Sequence, residues 1–223
     1  MSARQLEETK MSVHPRTSEV IRGAISAVAA AGLSFAMLGG SALAAPPVVR
    51  DHIVSSGAFA GNNVCAGTIC TATSVYVVVN TPDGPSQACL DITRYDSTLF
   101  VPLGYETGCA PLAEGAFSID TRSLAAASLS PIDITLQAFA CDATGCLPTG
   151  AQRVAHVAAT YAGTGVVNTF RANSKSTFGG CAMYFVGKGS SREATATLAI
   201  GTQSFEALGS LFTSTQKTKV ICH

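Results

Sequence analysis

Residues 131–146 read PIDITLQAFACDATGC. Ile132, Ile134, Leu136 and Ala138 fall on one side of an extended chain, and Asp133, Thr135 and Gln137 fall on the other. That is the period-two alternation of a half-buried strand. CDATGC (141–146) then reads as a short turn between two cysteines, with Gly145 near its end. CAGTIC at 65–70 repeats the C-x4-C spacing and is followed by the β-forming run TATSVYVVV.

Three chemistries compete for these cysteine pairs. A structural zinc site needs four converging thiolates and tolerates this spacing, but zinc ribbons favour tight C-x2-C knuckles. A redox pair needs C-x-x-C at a helix N-terminus, where the dipole lowers the thiol pKa. Neither segment opens a helix. Two cysteines facing each other across a turn between strands satisfy the separation a disulfide tolerates, so the reading is Cys65–Cys70 and Cys141–Cys146 as bridges. The remaining four cysteines are assigned as Cys89–Cys109 and Cys181–Cys222, although eight cysteines allow on the order of a hundred connectivities. No metal ligand set and no cofactor is expected.

The first 45 residues resemble an export leader. Arg4, Lys10, Arg16 and Arg22 precede an apolar run from Ala24 to Leu38, and SALAAPP offers small residues at Ala42 and Ala44 for cleavage. An uncleaved membrane anchor is the alternative, since Ala24 to Ala45 has about the 20 residues a span requires. All eight cysteines follow the expected cut, as they do in a disulfide framework built in an oxidising compartment. The reading is a signal peptide over 1–45 and a secreted or envelope-associated region over 46–223.

The 223 residues carry 14 Lys and Arg against 14 Asp and Glu, with no charge run. Nothing in the linear order attracts phosphate backbones or anionic lipid, so nucleic acid is not an expected partner. Membrane contact is expected only through an uncleaved leader.

Strand signals continue through the region after the leader. TSVYVVVN (73–80), the turn TPDGP and SQACLDITR (86–94) form a hairpin pattern. Further candidates lie at 115–120, 151–160, 166–172, 181–187, 193–200 and 210–221. Only SLAAASL (123–129) has helix-forming composition, and it is too short for more than a turn or two. Short strands punctuated by Gly, Pro, Ser and Thr point to an all-β fold, read here as an Ig-like β-sandwich. A faint self-similarity at an offset of 81 residues places Cys65 on Cys146 and Cys141 on Cys222. It raises two small modules split near 141 as an alternative to one domain. Against it, Ile132, Ile134 and Leu136 would align with Thr213, Thr215 and Lys217, exchanging a buried face for a wet one.

From SIDTRSL to CDATGC, residues 118–146, the chain is locally similar to the enediyne-antibiotic carrier proteins of the neocarzinostatin type. The resemblance implies an exported Ig-like sandwich with a C-x4-C hairpin bridge, and it implies nothing about ligand transport.

The chain contains no G-x-S-x-G, H-E-x-x-H or phosphate-binding glycine loop. His52, His156 and His223 are scattered, and a mid-strand histidine without a partner motif is first a hydrogen-bonded sheet residue. The segment YDSTLFVPLGYETGCAPLAEG (95–115) is too apolar for an ordinary loop and too broken by Pro102 and Gly104 for a central strand. It reads as an edge strand closing the core, since apolar residues are mostly inside. Its alternative is an exposed loop that meets a partner through Leu99, Phe100 and Tyr105. The functional expectation is an exported non-catalytic protein that binds an unknown protein or small ligand or serves a structural role. A small exported hydrolase with a site assembled only in space is the alternative.

Overall fold

The β-branched runs separated by turn residues become ten strands in the computed structural model, which describes residues 48–82 and 84–222. The leader, its expected cleavage site and His223 lie outside the described residues. The strands are β1 (Val48–Ala66), β2 (Ile69–Thr81), β3 (Gln87–Asp96), β4 (Val101–Pro111), β5 (Phe117–Ile119), β6 (Ala126–Asp142), β7 (Gly145–Gly163), β8 (Asn168–Phe178), β9 (Cys181–Ile200) and β10 (Gln203–Cys222). All pairings are antiparallel. They run β1-β2-β3-β4-β6-β7-β9-β10, and β10 returns to β1, so a single ring-like sheet closes on itself. Closure satisfies the backbone groups that an open sheet leaves at its edges. β5 is added to β6, and β8 to β9. Residue 141 pairs with residue 146 near the end of β6.

Alternation decides what the ring encloses. Ile134 and Leu136 are fully buried, as their spacing predicts, beside Val75, Val77, Leu90, Val157, Leu198 and Leu211. Facing strands contribute mainly alanine: Ala58, Ala60, Ala155, Ala159, Ala194, Ala196 and Ala207. Small side chains let opposite walls approach closely and keep the interior filled without voids. Backbones crowd as well. A Cβ built on Gly209 would lie 2.0 Å from the Phe59 carbonyl oxygen, so the β10–β1 seam admits only glycine there.

The segment with helical composition is not a helix. Asp120 accepts hydrogen bonds from the backbone N–H of Arg122 and Ser123 and from the Ser123 hydroxyl, and the Leu124 N–H donates to the Asp120 carbonyl. This turn delivers Leu124 into the core with φ 50°, after which the chain enters β6. The carboxylate competes with helix formation for the local N–H groups, and it wins over a run of only seven residues.

Three strands are far longer than the ring requires. β9 and β10 have 20 residues each and β1 has 19. β7 pairs only with residues 194–200 of β9, and β2 meets β1 only from Val54 onward. The remaining lengths form an open four-stranded extension in the order β1-β10-β9-β8. Every residue of β8 is exposed.

Candidate binding surfaces

Register explains the disulfides. Cys65 faces Cys70, Cys89 faces Cys109, Cys141 faces Cys146 and Cys181 faces Cys222 as direct cross-strand partners. All four pairs are bonded, the same pairs assigned from spacing, and no described cysteine is free. No thiolate among them remains to ligate a metal.

The apolar segment after β3 divides its residues between turn and ring. Residues 97–100 form a turn in which Asp96 accepts from the N–H of Thr98 and Leu99, and these bonds hold its carboxyl below the ordinary range. β4 follows as a ring strand, despite Pro102. A register shift between Arg94 and Tyr95 sets Pro102 opposite Tyr95 and absorbs the missing donor. The expectation of an edge strand closing the core is therefore corrected. Leu99 is 71% exposed and Phe100 80%, with Val101, Leu103 and Leu147 also exposed. Tyr105 is half-buried, its ring stacked on Phe139 at 4.4 Å, so it braces the wall beneath the exposed residues. Phe100 has φ 53°, a left-handed conformation that bulky side chains rarely adopt.

His156 lies directly opposite Asp133, and its Nδ1 is 2.8 Å from the carboxylate. Both side chains stand on the outer wall, more than half exposed. Among the described residues, no serine, threonine or cysteine hydrogen-bonds to the imidazole, so the histidine has an orienting acid and no nucleophile.

A feature that sequence reasoning missed lies on the open extension. Strand alternation gives this sheet two unlike faces. One carries Ile53, Phe170, Met183, Phe185 and Val220. The other is built of cross-strand rows: Arg50–Lys219–Tyr184–Lys175, then His52–Lys217–Val186–Asn173, then Val54–Thr215–Lys188–Arg171. Six of the fourteen Lys and Arg residues of the chain thus share one face. Four strands about 4.8 Å apart and three rows about 6.8 Å apart make this array roughly 14 Å square. Asp51 is the one acid in this part of the sheet, and it belongs to the other face by alternation. The Lys175 ammonium sits 5.3 Å from the Tyr184 ring centre. Arg50, Asp51, His52, Tyr184, Val186, Lys217 and Lys219 are among the residues that line a shallow open depression of about 750 Å³.

The linear signal for this face is faint. Lys217 and Lys219 alternate in TQKTKVI, and Arg171 and Lys175 share parity in β8, but only strand order and register bring them beside Lys188 and Arg50. No family model matches the chain, and neither a curated protein nor a solved structure is similar to it.

Proposed function

We propose that the protein is exported and acts without catalysis, as a binding protein at the cell surface or in the extracellular space. The observation that carries this reading is Phe100: an aromatic side chain held outward at 80% exposure on a backbone with φ 53°. Exposure forfeits its hydrophobic contribution and the positive φ costs about 1–3 kcal/mol, a combination found where a surface is kept ready for contact. Leu99, Val101, Leu103 and Leu147 extend the apolar surface around it. Four disulfides fit an oxidising compartment. The small inward residues support a flattened ring, close in cross-section to an Ig-like sandwich.

The hydrolase reading has one observation in its favour, the His156–Asp133 pair, to which no nucleophile among the described residues is hydrogen-bonded. Fractionation of cells producing the full chain, with N-terminal sequencing of the recovered protein, tests the export reading. The expected product is outside the cytosol, oxidised, and begins at Ala45 or Pro46. Recovery of a reduced chain of full length from the cytosol would overturn it.

A further inference from the structure

The basic face of the open extension is costly to the fold. Arg50 is directly opposite Lys219, and Lys188 is directly opposite Arg171. Like charges at such positions, with Cβ atoms about 5 Å apart, destabilise a sheet. One acid, Asp51, lines the depression with them, whereas Asp91, Glu106, Asp133 and Glu206 lie on ring strands. A chain with equal numbers of acids and bases has thus segregated part of its positive charge onto one face.

We infer that this face binds a linear acidic polysaccharide, its carboxylate or sulfate groups held by Arg50, Arg171, Lys175, Lys188, Lys217 and Lys219. The inference gives the proposed binding protein a ligand class, and it rests on that reading only for the ligand's location outside the cell. Three observations favour a sugar acid over other polyanions. The depression is shallow and open, and Val186 lines it beside Arg50, Lys217 and Lys219, which sets apolar surface for a sugar ring next to cations for its acid group. Single-stranded nucleic acid needs successive free aromatic platforms, whereas this face has Tyr184 alone, and Lys175 already covers its ring. A four-stranded face is also too wide for a duplex major groove, which admits a helix or a two-stranded ribbon. Finally, Asn173 and Thr215 lie among the cations, and Thr169 and Thr213 lie in the adjoining row, and these supply donors and acceptors for sugar hydroxyls.

The test is binding of the full-length folded protein to fluorescent alginate, a linear polyuronate, at about 50 mM salt, where surface electrostatics are weakly screened. Heparin, neutral dextran, a dT30 oligonucleotide and phosphatidylserine vesicles serve as parallel probes. Alginate or heparin should bind, dextran should not, and binding should weaken steeply as salt rises; the tighter of the two identifies carboxylate or sulfate as the preferred group. Lys217→Gln with Lys219→Gln should weaken binding about twofold to thirtyfold, and the distant Arg122→Gln should leave it unchanged. Should the first pair fail to fold, Arg171→Gln with Lys175→Gln on the fully exposed β8 is the equivalent probe. Failure of both acidic polysaccharides to bind, insensitivity to these substitutions, or tighter binding of dT30 or vesicles would each overturn the assignment. None of these results bears on the compartment, which fractionation decides separately.

Discussion

Loop length should rank the disulfides, and two of them make a clean comparison. Cys141–Cys146 and Cys181–Cys222 each tie adjacent strands with half-buried sulfurs, but their sequence separations are 5 and 41. Chain entropy of the unfolded state gives about 2 kcal/mol for the short loop and about 4 kcal/mol for the long one. Removing each bridge by a double alanine substitution therefore isolates loop length from packing. In urea at 25 °C, with a slope of about 2 kcal/mol per molar for a domain of this size, the midpoint should fall by about 1 M for Cys141→Ala with Cys146→Ala. The fall should be about 2 M for Cys181→Ala with Cys222→Ala. Unfolding followed by circular dichroism measures both. Equal losses, or a larger loss from the short bridge, would show that loop closure does not govern these bridges and would refute the reasoning.

Three further outcomes follow from burial and hydrogen bonding. Phe100→Ser should change stability by less than about 0.5 kcal/mol, whereas Leu136→Ala should cost about 2–5 kcal/mol, because one side chain is in solvent and the other is enclosed; thermal unfolding of the two variants checks the contrast, and a large loss from Phe100→Ser would place it in the core. Tyr161 is buried in the ring with a hydroxyl that has no partner among the described residues, and burial raises its pKa, so Tyr161→Phe should leave stability equal or raise it by about 1–3 kcal/mol. A loss of about 1 kcal/mol or more would mean the hydroxyl is satisfied. Hydrogen bonds, first from the Ser123 hydroxyl and then from backbone N–H groups, hold the Asp120 carboxyl below its ordinary pKa. Its contribution is present above the unfolded-state value, roughly pH 4, and is lost as pH falls through the lower native value. Asp120→Asn should therefore be less stable than the parent chain at neutral pH and equal to it in strong acid; a gap that persists into strong acid would contradict the linkage.

How much of this was legible in sequence depended on range. Alternation in PIDITLQAFA is a property of neighbouring residues, so the buried face carrying Ile134 and Leu136 could be read directly. The bridges were legible for a related reason, since a cysteine on each side of a turn ends up opposite its partner in the register. Closure was not legible. It depends on β10 pairing with β1, whose residues are separated by most of the chain, and no local pattern records that. Leu99 and Phe100 misled because apolarity signals burial on average, while Asp96 fixes a turn that turns them outward. The cationic face escaped for the reason closure did: alternate positions of four strands carry it, each unremarkable by itself, and the net charge conceals it.

Proteolysis of the unreduced protein, with mass analysis of the linked peptides, probes the closed oxidised sheet most directly. Four linkages are predicted, joining residues 65 to 70, 89 to 109, 141 to 146 and 181 to 222, each placed by strand register. Titratable thiols in the native protein, or any linkage that crosses these pairs, would contradict the fold described above.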